Sequence, residues 1–118
     1  MVWRALFRGF IQVHILHHAS QHAVYGAWLI EELGRHGYAL SPGTLYPILH
    51  RLEKDGLLTG TDQVVHGKRR RYYAITTAGE TALTQARRQA IELVAEIAPE
   101  QMDVEDRCKE AGQERSNL

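Results

Sequence analysis

The chain has 118 residues, 44% of them hydrophobic and 24% charged, with equal numbers of acidic and basic side chains. That size suits one small domain with a modest core and leaves little room for a deep catalytic cleft. No run of eighteen apolar residues occurs, MVWRALFRGFIQV at the N-terminus lacks the continuous apolar centre and cleavage site of a secretory leader, and Cys108 has no second cysteine to pair with; a cytoplasmic protein with no membrane partner is expected.

The neutral total conceals a division. Residues 1–88 hold 11 Lys+Arg against 6 Asp+Glu, while residues 89–118 hold 3 against 8. The positive charge concentrates in GKRRRYY, and a local patch of this kind can neutralise phosphates whatever the net charge of the protein.

The first expected element is a helix over residues 2–19. Trp3, Phe7, Phe10 and Ile11 form one apolar stripe, widened by Leu6 and Val13, so this helix needs a neighbour on more than one side. A second helix is expected from Val24 to Arg35, ending near Gly34 and Gly37. The third begins at SPGTLYP: Ser41 is the expected cap of the free backbone N–H groups, Pro42 suits the first helical position, and Pro47 falls close to the helix start, where a missing N–H does least harm. Leu45, Ile48, Leu49 and Leu52 fall within an arc of roughly 100° and face a core, leaving Tyr46, Pro47, His50, Arg51 and Lys54 outside. Two helices, a short turn and a third helix with an aromatic and basic outer face make the pattern of a helix-turn-helix, whose recognition helix enters the major groove of DNA by its N-terminal end.

After Gly56 the period changes from 3.6 to 2. Residues 57–65 and 70–76 alternate around HGKR, which predicts a β-hairpin with Lys68, Arg69 and Arg70 at or near its tip, in the place of a wing. Thr77 is expected to open the last helix, with Glu80 completing a capping box. Leu83, Ala86, Ala90, Leu93, Val94 and Ile97 then recur at steps of three and four residues, a seam for a second helix and, in a chain with few elements left to cover it, for a second subunit. Pro99 marks its end.

The expected fold is therefore α+β: a winged helix-turn-helix of three helices and a two-stranded β-wing over residues 1–76, a C-terminal dimerisation helix over 77–98 and an acidic tail over 99–118. YGAWLIEELGRHGYALSPGTLYPILHRLEKDGLL followed by GKRRRYYAITTAGETAL resembles the PadR family of bacterial winged-helix transcriptional regulators, in its short subgroup, over roughly residues 12–95. The resemblance implies a homodimeric DNA-binding repressor released by an effector. It places Gly43, Thr44, Leu45, Tyr46 and Pro47 on the family's GTLYP, with Leu45 inward and Tyr46 near the DNA backbone, and the basic wing on Lys68, Arg69 and Arg70. Short members that bind flat hydrophobic drugs use a tryptophan of the last helix, which this chain lacks; Trp3, Phe7 and Phe10 are the alternative lining for a small-molecule effector.

The expected DNA contacts are thus Ser41, Thr44, Tyr46, Pro47, His50, Arg51, Lys54, Lys68, Arg69 and Arg70, with Thr44, His50 or Arg51 reading base edges of double-stranded DNA. Trp3, Phe7 and Phe10 join the seam residues Leu83 to Ile97 in the expected homodimer interface. No cofactor is expected, and no enzyme: the sequence holds no phosphate-binding glycine loop, no GxSxG and no HExxH. One alternative is a metal-responsive regulator, since His14, His18 and His22 stand at helical spacing, though with no carboxylate or thiol nearby in sequence. Another is a winged helix turned to protein binding.

Overall fold

The computed structural model of the chain describes residues 4–102. Its elements are α1 (Arg4–Gln21), β1 (Val24–Tyr25), α2 (Gly26–Arg35), α3 (Pro42–Lys54), β2 (Leu58–Val65), β3 (Lys68–Ile75) and α4 (Thr77–Ile97). The described residues divide into two compact units, with the boundary between Thr84 and Gln85. In the first unit, α1 packs on β3, α2 on α3, and α3 on β2.

The core of that unit follows the apolar spacing of the sequence. Ile11, Ile15, Leu16 and Ala19 of α1 meet Leu29 and Leu33 of α2, the α3 quartet Leu45, Ile48, Leu49 and Leu52, and Val24, Leu58 and Tyr73 of the sheet. Each fully buried aliphatic side chain contributes about 1.5–3 kcal/mol relative to exposure, so the α3 quartet alone fixes which face of that helix looks outward.

The second helix starts two residues later than its periodicity suggests. Val24 and Tyr25 form a short strand opposite Tyr73 and Tyr72 of β3, giving a three-stranded antiparallel sheet in the order β1-β3-β2. A β-branched residue followed by an aromatic one favours the pleated surface, and Gly26 then begins the helix. The wing is therefore the outer part of a sheet anchored at its base by a third strand.

The hairpin turn is the two-residue pair His66-Gly67, with φ of 51° and 76°. Both lie in the left-handed region, as a primed turn matching the strand twist requires. Val65 pairs with Lys68 and Gln63 with Arg70. Lys68 to Arg70 thus belong to the strand leaving the turn, and the tip itself is His66-Gly67.

Both expected helix caps are built differently. Ser41 has extended backbone and its carbonyl accepts from the N–H groups of Thr44 (3.1 Å) and Leu45 (3.0 Å), but its hydroxyl caps no backbone group and lies 3.3 Å from the Thr44 hydroxyl. At α4 the cap is Thr76 rather than Thr77: its hydroxyl accepts from Gly79 N–H at 3.0 Å and donates to the Gly56 carbonyl at 2.6 Å. Thr76 ends the sheet and starts the helix, so it wins over its neighbour by tying α4 to the turn after α3. Gly79 is required here by space, since a Cβ would collide with the Leu57 carbonyl and lie 2.7 Å from the Ile75 side chain.

Two further expectations change. Pro47 lies inside α3, well past its first turn; lacking an N–H, it leaves the Gly43 carbonyl without its partner four residues on. Leu83, expected in the subunit seam, is 2% exposed and belongs to the core of its own chain.

Candidate nucleic-acid interface

The α3 quartet turns one face of the helix inward and leaves Ser41, Pro42, Gly43, Tyr46, Pro47, His50, Arg51 and Lys54 exposed, with Thr44 half-buried between them. Tyr46 is 42% exposed, and its phenol crosses the start of α2 so closely that a Cβ on Gly26 would meet the hydroxyl at 2.7 Å. Glycine at the first position of α2 therefore makes the room in which Tyr46 is held. Arg51 is exposed but reaches back to Asp55, donating from Nε to Oδ2 at 3.1 Å. His50 and Lys54 complete the outer face.

The basic run on β3 divides by strand alternation, since neighbouring side chains point to opposite faces of a sheet. Lys68 and Arg69 are exposed. The Arg70 guanidinium lies 4.6 Å from the centre of the Tyr25 ring, and the neighbouring Tyr72 hydroxyl holds its pKa above the ordinary arginine value. Arg71 is committed to the fold. Its Nη2 donates to Glu53 Oε2 at 2.6 Å and Oε1 at 3.1 Å, and its Nη1 donates to Asp62 Oδ1 at 3.0 Å. Hydrogen bonds to Glu53 and Asp62 hold the guanidinium strongly protonated. Arg71 thereby bridges the last turn of α3 to β2, fixing the wing against the helix whose outer face it flanks. This role is invisible in the sequence, because three adjacent arginines look alike until strand pairing separates them.

The structure thus brings Ser41, Thr44, Tyr46, Pro47, His50, Arg51 and Lys54 onto one helix and Lys68, Arg69 and Arg70 onto the adjoining strand. Phe7 lines an open cleft of about 900 Å³, with Arg8, Tyr38, Leu40, Thr44 and Ile48 among the other walls. Its ring meets those of Phe10 and Tyr38 at centroid distances of 6.3 and 6.4 Å. Phe10 does not line the cleft, and Trp3 lies outside the described residues. Phe7 and Phe10 are 37% and 43% exposed.

In the second unit Ala90, Leu93 and Ile97 are exposed and Ala86 and Val94 half-buried. Ile91, which the three-and-four spacing left out, is 57% exposed beside them. Ile91 and Val94 share a shallow hollow with Ala90, Gln101 and Met102.

The histidines do not assemble as their spacing along α1 suggests. His22 packs edge-on against Trp28 at a centroid distance of 4.9 Å. His14 and His18 instead meet His36 from the end of α2, with one ring nitrogen of each within 4.8 Å of the others. Burial lowers the pKa of His14, aided by His36, His18 and His17; burial also lowers that of His18, against the opposing pull of Glu32.

No helix of the described residues is long and apolar enough to cross a membrane. The transcriptional regulator PadR-like family matches residues 15–85 of the chain. Transcriptional regulator Rv3488 of Mycobacterium tuberculosis is 55% identical over 94 residues, covering 80% of this chain and 88% of that protein. Among solved structures, a PadR-like transcriptional regulator from Bacillus cereus is 32% identical with a TM-score of 0.70, covering 83% of this chain and 96% of its own. A PadR-like transcription factor from Bacteroides fragilis gives 28% identity and a TM-score of 0.71, with 81% and 94% covered. With its winged-helix fold, its intact SPGTLYP helix and its basic wing, the chain belongs to the PadR-like family of transcriptional regulators, which regulate transcription and are not enzymes.

Proposed function

We propose that the protein is a cytoplasmic, sequence-specific repressor that binds a palindromic operator as a homodimer and is released by a small-molecule effector. The observation that carries the DNA-binding part is the pairing of an outward α3 face, His50 and Lys54 with the start of the helix, and the exposed Lys68 and Arg69 of the adjoining strand. The opening of α3, with Pro42 at its first position, meets base edges with little conformational freedom left to lose. Thr44, His50 and Arg51 read bases, Arg51 by leaving its exposed pair with Asp55, and Ser41, Tyr46, Pro47, Lys54 and the wing residues Lys68, Arg69 and Arg70 contact the backbone.

Dimerisation is supported by the exposed apolar residues of α4, with Ala86, Ala90, Leu93, Val94 and Ile97 as the seam, and by Phe7 and Phe10 on α1. A two-fold dimer of this kind calls for half-sites about 34–36 Å apart or a multiple of that spacing. The aromatic cleft beside Phe7 and Tyr38 is the place for an apolar effector, with Phe10 at its margin. The test is fluorescence anisotropy on duplex DNA from upstream of the protein's own gene, beside a shuffled duplex, across a salt series. Salt-dependent binding with a preference of about a thousandfold or more supports the reading; equal binding to duplexes tiled across the whole neighbouring intergenic DNA and to shuffled DNA contradicts it.

A further inference from the structure

We propose that His14, His18, His36 and Glu32 form a binding site for one divalent transition-metal ion of the zinc class. The four residues are two pairs at i, i+4, one on α1 and one on α2 and its C-cap, facing each other across the helix contact. Residues spaced in this way lie one turn apart on the same side of a helix, so each pair presents two ligands to a common point.

The geometry of the polar atoms converges on that point. Glu32 Oε1 lies 3.4 Å from His36 Nε2 and 3.9 Å from His18 Nε2, while its other oxygen faces the exposed Arg35 at 3.8 Å. His18 Nε2 is buried and has no hydrogen-bond partner among the described residues. A buried ring nitrogen without a partner is a cost to the fold, and a bound cation would satisfy it. His14 stacks on His36 at a centroid distance of 4.6 Å, which keeps the third imidazole beside the other two.

Tetrahedral zinc takes nitrogen at about 2.0–2.1 Å, so adjacent ligand atoms in a finished site stand about 3.3–3.4 Å apart. The present spread among the three histidine nitrogens, up to 4.8 Å, closes by a rotation of His36, which ends α2 and is 41% exposed, while Glu32 already lies within 3.9 Å of two of them. Three imidazoles and one carboxylate select zinc, nickel, cobalt or copper over magnesium or calcium, which prefer all-oxygen sites. The competing account is aromatic packing alone, since His18 also meets Trp28 and His14 meets Tyr38. Packing explains the stacking, but not the convergence of a carboxylate oxygen on two ring nitrogens.

An ion at this position would tie α1 to the end of α2, directly before the turn into α3. The proposal goes beyond DNA binding and is tested without DNA. Protein made without a histidine tag and stripped with chelator is titrated calorimetrically with Zn2+ and, separately, Ni2+. The expected result is one ion per chain at micromolar affinity or tighter, weakened about tenfold or more in His14→Ala and in His36→Asn, and unchanged in His17→Ala and His66→Ala. His36→Asn alters an exposed cap residue and remains the deciding variant if His14→Ala fails to fold. Absence of stoichiometric binding of either ion, or binding that survives His36→Asn unchanged, overturns the site.

Discussion

Residues 4–84 and the stretch of α4 from Gln85 to Ile97 distribute their side chains in opposite ways. The first unit gathers its aliphatic residues into one core and leaves a row of cations outside. The α4 stretch keeps none of its residues fully buried and exposes Leu93 by 38% and Ile97 by 69%. Apolar side chains left in water favour contact with another apolar surface, so on the proposed reading the first unit meets an anion and the α4 stretch a second subunit. The boundary between these tasks runs through one helix. Leu83 serves the core, and the exposed apolar residues of α4 begin only after it.

Substitutions can break that contrast in both directions. The largest effect belongs to the core of the first unit: Leu49→Ala should destabilise by about 2–5 kcal/mol, read as a lower midpoint in chemical denaturation. Next is the pair Leu93→Asp with Ile97→Asp, which should weaken self-association about a hundredfold or more, equivalent to roughly 3 kcal/mol, in sedimentation equilibrium. Leu83→Ala separates the two roles of α4, since it should lower stability by a core-like amount; a pure loss of self-association would return Leu83 to the seam. Arg71→Ala should lower the midpoint in chemical denaturation by releasing Glu53 and Asp62, by less than either core substitution. The smallest stability change, within about 0.5 kcal/mol, is expected for Arg69→Ala, which instead weakens all duplexes alike and lowers the salt slope by about 1.

Much of this arrangement is legible in the sequence because it rests on periodicity. The Leu45, Ile48, Leu49 and Leu52 spacing fixed the buried face of α3, and the change of period after Gly56 marked the hairpin. What escaped reading depends on partners distant in the chain. Val24 and Tyr25 continue a helical pattern until β3 supplies a strand for them to pair with. Thr76 and Thr77 are equivalent as caps until the Gly56 carbonyl selects the first. Arg71 differs from Arg69 and Arg70 only because Glu53 and Asp62 lie beside it. The histidine cluster was half visible, since helical spacing gives His14 and His18 but points to His22, whereas folding supplies His36 and Glu32.

On the proposed reading, the outer face of α3 reads sequence while the wing supplies charge. The most direct measurement is the ratio of anisotropy affinities for operator and shuffled DNA in His50→Ala and in the double variant Lys68→Ala with Arg69→Ala. The wing variant should weaken binding to both duplexes and leave their ratio within about twofold, while His50→Ala should lower the ratio about fivefold or more. A ratio that collapses in the wing variant and stands unchanged in His50→Ala would contradict this reading.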